Sequence, residues 1–234
     1  MDLQCKQLFH TIVYIVSTQP ASLPESDGAR ERLLDAATRL FATVGYETAT
    51  VRDIVGAAGT NLNAINYYFG GKRGLYQAVM LRELERARSF TAELPRSAAD
   101  DALERRLESV VLRILTFFVS QHSQLPRLAA LEVVKPSAAL DDIWPAMQVA
   151  EREELRVLVA EVLHDGSGAP ASADAIDEGV RAVYAQCVYF MFMGEMLQRA
   201  GSPVFSSAAA VRRLATRITV FSLSGLRALG QLGD

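Results

Sequence analysis

Between Thr50 and Phe69 the chain reads TVRDIVGAAGTNLNAINYYF, two segments of helix length with a glycine where they meet. Thr50 and Asp53 stand in the capping-box arrangement, in which a hydroxyl takes an orphan backbone N–H and the acid returns to the cap. A short helix is expected from about Val51 to Ala58, ending at Gly59. Asn61 is a good N-cap for a further helix to about Phe69, and Gly70-Gly71 break it before a longer one carrying Leu75, Val79 and Leu84. Upstream, Leu33, Leu34, Ala37, Leu40, Phe41 and Val44 recur at helical spacing from Arg30 to the stop at Gly45. Two short helices separated by a few residues and braced by longer ones form a helix-turn-helix, whose second helix is the one offered to the DNA major groove.

On a wheel of about 100° per residue, Leu62, Ile65, Tyr68 and Phe69 gather on one side, expected to face the two preceding helices. Asn63, Ala64, Asn66 and Tyr67 project from the other. Asparagine bonds bidentately to adenine and tyrosine reaches phosphate, which suits this face to double-stranded DNA. Charge agrees: residues 28 to 96 carry ten Lys/Arg against seven Asp/Glu, residues 97 to 234 thirteen against seventeen, and no acid falls between Asp53 and Glu83. Such a segment favours an anionic partner. GGKR does not complete a phosphate-binding loop, because Arg73 follows Lys72 where Ser or Thr is needed. Lys72 instead opens a helix, where a cation and free N–H groups can hold one phosphate together.

The remaining composition excludes more than it identifies. At 234 residues and 50% hydrophobic the chain can bury a substantial core. Cys5 and Cys187 lie far apart, which suggests neither a disulfide framework nor a zinc site and makes reducing cytoplasm the expected setting. LFHTIVYIVS near the start loosely imitates a signal peptide, but His10 and Thr11 interrupt it and no cleavage site follows. Residues 1–27 are expected to be an N-terminal extension, an extra helix or a disordered arm. No membrane association is expected: the uncharged run from Ala182 to Gly194 is bounded by Arg181 and Glu195, short of the roughly 20 apolar residues that span a bilayer.

The stretches LLDAATRLFATVGYETATVRDIVGAAG and INYYFGGKRGLY together resemble the DNA-binding domain of TetR-family transcriptional regulators. The resemblance implies that Thr50 and Arg52 contact DNA from the start of the first short helix, that Asn63, Ala64 and Asn66 face bases, and that Tyr67 and Lys72 grip phosphates. Leu62 departs from it, standing where the family often has a basic or small polar residue. KPSAALDDI, QCVYF and ITVFSLSGL are similar to the CerR-type C-terminal domain of one branch of that family, which implies helical effector binding and dimerisation. The expected fold is all-α, with a three-helix DNA-binding domain over 28–75 and a larger helical domain over 76–234.

Helical periodicity runs through about Ala99–Gln121, Asp141–His164, Ala173–Ala200 and Ser207–Leu229, with GSGAPASA as a linker. In the third of these, Ile176, Val180, Val183, Cys187, Phe190, Gly194 and Leu197 form one stripe, and Ala185, Tyr189, Phe192 and Met196 another. A helix apolar all round is covered on both sides, one by its own core and one by a partner chain. A homodimer is expected, with Tyr189, Phe192 and Met196 joined by Val211, Leu214, Ile218 and Phe221 of the last helix at the interface. Phe117, Phe118, His122, Trp144, Met147, Tyr184, Cys187 and Met191 are the pool from which a pocket for a neutral or aromatic effector is expected, against the ordinary alternative of core filling.

The resulting expectation is a ligand-responsive repressor that binds a palindromic operator as a homodimer. An all-helical dimeric adapter or ligand-binding protein without DNA binding is the alternative. An enzyme is disfavoured: GxSxG is absent, and His10, His122 and His164 fall in unrelated segments with no paired nucleophile. No cofactor and no metal are expected.

Overall fold

The structure, a computed structural model, describes residues 24–119, 123–143, 150–168 and 170–232. The expected N-terminal extension, apart from its last four residues, and His122, Trp144 and Met147 lie outside them. The described residues are helical and connecting segments without strands. The helices are α1 (Pro24–Thr48), α2 (Val51–Ala58), α3 (Leu62–Phe69), α4 (Lys72–Ala92), α5 (Leu103–Val119), α6 (Leu125–Val134), α7 (Ala150–Ser167), α8 (Ala173–Arg199) and α9 (Ala208–Leu232), with a 3-10 turn at Pro203–Phe205.

Two compact units result. The first comprises residues up to Arg86 together with Ser123–Gln148, the second Ala87–His122 with Val149–Asp234. This division differs from the expected boundary at residue 75: most of α4, and α6 with the turn after it, belong with the first unit. Side-chain bonds explain the assignment. The Tyr76 hydroxyl donates to Glu132 Oε1 at 2.6 Å, Gln124 N donates to Glu83 Oε2 at 2.7 Å, and Gln77 Nε2 donates to the Ala139 carbonyl at 2.8 Å. Glu83 is buried, and Arg86 at 2.8 Å supplies a countercharge. Burial first, and then the bond to Glu132, push the Tyr76 phenol far above its ordinary pKa.

In the first unit Leu33, Leu34, Phe41, Ile54, Ile65, Leu75 and Val79 are almost fully buried, each contributing roughly 1.5–3 kcal/mol of transfer free energy. Phe41 meets the Tyr76 ring edge-on at 4.8 Å, and Tyr46 lies 4.9 Å from Tyr76. In the second unit α5, α7, α8 and α9 pack on one another around Leu107, Val111, Leu155, Val159, Val183 and Cys187. Arg106 clamps Glu161 with two bonds of 2.6 and 2.9 Å, and the buried Arg113 pairs with Glu154.

Several expected elements shift. α6 was not expected at all: its sequence LPRLAALEVVKP gives little periodicity, although Pro126 in the first turn and Pro136 beyond the last are the marks of a helix start and stop. Of the helix expected from Asp141, the described part runs Ala150–Ser167, and Asp141–Ile143 form a turn whose Asp142 accepts from Arg73 at 2.6 Å.

Candidate nucleic-acid interface

The helix-turn-helix is built by its caps. Asp53 N donates to the Thr50 hydroxyl oxygen at 3.1 Å, and that hydroxyl donates to Asp53 Oδ2 at 2.6 Å, which fixes the start of α2. Gly59 ends it at φ 61°, a left-handed conformation that glycine adopts without steric cost. Ala64 N donates to Asn61 Oδ1 at 3.1 Å, starting α3 only three residues after α2 ends. At the other end a Cβ on Gly74 would fall 1.8 Å from the Phe69 carbonyl oxygen, so the tight passage from α3 into α4 requires glycine there.

This framework presents one face of α3 outward. Asn63 and Asn66 are exposed, Ala64 is half-buried, and Tyr67 is 66% exposed, its ring edge-on to Tyr68 at 4.9 Å. Ile65 is buried, with Tyr68 and Phe69 partly so, as the wheel requires. Leu62 is a correction: expected to face the preceding helices, it is 48% exposed. It opens the helix, where the surface beneath consists of the end of α2 and the turn, and Arg52, Val55, Gly56 and Asn63 line a concavity with it. Arg52, also exposed, joins Asn63 and Asn66 in forming no side-chain hydrogen bond or ion pair among the described residues. The Thr50 hydroxyl, by contrast, is occupied by its cap. Lys72 opens α4; its ammonium donates to the Glu47 carbonyl at 3.2 Å and lies 4.5 Å from the centre of the Tyr46 ring.

In the second unit the expected pocket residues are largely core. Phe117, Phe118 and Cys187 are buried, Phe118 is edge-on to Phe117 at 5.5 Å and to Tyr184 at 5.6 Å, and burial pushes the Cys187 thiol up to about 12. Met191 is half-buried. The expected interface residues fare differently. Tyr189, Phe192, Met196 and Phe221 are exposed at 49%, 39%, 63% and 72%, Val211 and Leu214 are half-buried, and Val220, not anticipated, is 59% exposed. Ile218 is the most buried of the expected set, 5% exposed, and borders the groove between α8 and α9. Between these helices runs a shallow groove lined by Ala185, Tyr189, Phe190, Leu214, Arg217 and Ile218. No cluster of His, Cys, Asp or Glu among the described residues could hold a metal, and no described helix is long and apolar enough to cross a membrane.

The helix-turn-helix of the first unit and the helical bundle of the second both have counterparts among known proteins. Residues 33–79 match the model of bacterial regulatory proteins of the TetR family. Residues 103–226 match the C-terminal domain of the HTH-type transcriptional dual regulator CecR, in line with the resemblance of KPSAALDDI, QCVYF and ITVFSLSGL. The second match covers more than half of the chain, and the chain belongs to the TetR family with a CecR-type C-terminal domain.

Among the relatives, the probable HTH-type transcriptional regulator YttP of Bacillus subtilis is 27% identical over 133 residues, 56% of this chain and 63% of that one. CecR of Shigella flexneri is 42% identical over 59 residues, 25% of this chain and 26% of its own length. The chain thus spans less than two thirds of the length of these curated relatives. The crystal structure of HlyIIR, a hemolysin II transcriptional regulator, shares the fold, with a TM-score of 0.53 at 21% identity over 83% of this chain and 97% of that one. The family and the relatives matched are transcriptional regulators, not enzymes.

Proposed function

We propose that this protein is a cytoplasmic homodimeric repressor that binds a palindromic operator through α3 and is released when a small molecule binds its C-terminal domain. The observation that carries the DNA reading is the outward face of α3 and α2. Arg52, Asn63 and Asn66 stand there exposed and without side-chain partners among the described residues, in a stretch free of acids from Asp53 to Glu83. Polar groups left without partners on a rigid helix surface are complementary to base edges, and the basic balance draws in phosphate. Asn63, Ala64 and Asn66 face the bases, Arg52 reaches base or backbone, and Thr50 donates its hydroxyl to a phosphate in exchange for Asp53 Oδ2, keeping the bond it accepts from Asp53 N. Tyr67 and Lys72 hold phosphates, Lys72 exchanging the Glu47 carbonyl for one.

One recognition helix reads too few base pairs for selectivity. Two, held about 34 Å apart by a dimer, read successive major grooves of a palindrome. The exposed apolar side chains of α8 and α9 support that dimer. A ligand that binds the wrongly spaced state better lowers operator affinity by its differential affinity, and a regulator that does no more than occupy its operator blocks what must pass over it. The effector is neutral or aromatic, met by Phe117, Phe118, Tyr184, Cys187 and Met191 in a rearranged interior.

The test is retention of genomic fragments at near-physiological salt by the wild type and by a Tyr67→Ala, Lys72→Ala double variant. A short palindrome recovered by the wild type alone supports the reading. Equal recovery by both proteins, or no common sequence from either, refutes it.

A further inference from the structure

We propose that Leu62 is a base-reading residue, contacting the C5-methyl group of one thymine in each half-site. The proposal rests on α3 being the recognition helix and assigns a specificity to one of its positions. Leu62 is the first residue of α3, directly after the cap Asn61, and the N-terminal residues of a recognition helix are those that reach base edges. Its side chain is 48% exposed, although the helical pattern assigns it to the core. Folding therefore does not account for a leucine here. Helix formation does not either, since a first turn is best served by acids or proline.

The surroundings define what the side chain can meet. Leu62 lines a shallow concavity with the exposed polar residues Arg52, Asn61 and Asn63, the half-buried Thr60, and Val55 and Gly56 of α2, and Asn63 and Asn66 are exposed on the same helix. A ligand on that surface must offer hydrogen-bonding groups to the amides, charge to Arg52 and an apolar group to Leu62. The major groove carries one such apolar group, the thymine methyl, beside the acceptors and donors that asparagine and arginine read. Without it Leu62 would be carried into a polar groove against its own transfer free energy.

Replacing thymine by uracil deletes the methyl and leaves every hydrogen-bonding edge intact. In the operator recovered by wild type, each thymine is replaced singly by uracil and binding is measured with wild type, Leu62→Ala and Leu62→Met. Wild type weakens by about four-fold per half-site at one position, the equivalent of one buried methyl group. Leu62→Ala binds the thymine operator as weakly as wild type binds the uracil one and is indifferent to that replacement, whereas Leu62→Met stays sensitive. Unchanged thermal melting of both variants shows the head still folded.

The proposal is overturned if no thymine is sensitive in wild type, or if Leu62→Ala keeps the wild-type sensitivity at every thymine. Either outcome leaves the operator in hand and the repressor reading standing. A wild type that recovers no operator removes that reading and this one together.

Discussion

The outward surfaces of α3 and of α8 with α9 are both exposed helix faces, and they are exposed in opposite chemical senses. On α3 the protruding groups are two amides and a phenol beside Arg52, with Leu62 the apolar exception, and the apolar residues Ile65, Tyr68 and Phe69 turn inward. On α8 and α9 they are Tyr189, Phe192, Met196, Val220 and Phe221. A polar face without internal partners remains well solvated until a polyanion replaces its water. An apolar face gains by being covered, and in the proposed homodimer a second copy of the same chain covers it with the same chemistry. One region keeps hydrogen-bonding capacity in reserve, the other keeps hydrophobic area, and the proposed function gives each a partner of matching chemistry.

That contrast is broken most severely by placing charge on the apolar face. A Met196→Glu, Phe221→Asp variant is expected to raise the homodimer dissociation constant by at least about 100-fold, because burying unpaired carboxylates costs several kcal/mol. Sedimentation velocity at micromolar concentration reads the result, and an unchanged dimer means that α8 and α9 do not form the interface. On the other surface, Lys72→Ala alone is expected to weaken operator binding roughly ten-fold and to reduce the slope of log affinity against log salt by about one per half-site. The same affinity loss with an unaltered slope would remove Lys72 from the phosphate contacts. Smallest is an effect on neither surface: Tyr76→Phe deletes the bond to Glu132 that ties α6 to α4, and urea unfolding should report a loss of about 1–1.5 kcal/mol without a change in dimerisation.

Legibility follows the same divide between local and distant causes. The ends of α2 and α3 were readable because Thr50, Asp53, Gly59, Asn61 and Gly70 act within three or four residues of themselves, and the structure places each in that role. The two stripes of α8 were readable because a helix repeats its faces whatever surrounds it: Val180, Val183 and Cys187 are buried, and Ala185, Tyr189, Phe192 and Met196 are exposed. Leu62 was misplaced because the wheel gives a direction and not a neighbour. At the first turn of α3 no helix among the described residues closes over it.

α6 escaped notice for a related reason. Its position depends on Glu132 accepting from Tyr76 and on Glu83 accepting from Gln124 N, pairs more than 40 residues apart in sequence. Phe117, Phe118 and Cys187 read more readily as core than as pocket from periodicity, and within the bundle all three are buried.

By itself, then, the sequence determined that this chain is helical, where its short helices begin and end, and which faces are apolar, since capping and periodicity are properties of consecutive residues. The tertiary structure alone decided that α6 belongs with the DNA-binding unit, that Leu62 stands in the open and that Ile218 does not. Exposure is a relation between segments far apart in the chain, and it exists only once they have packed.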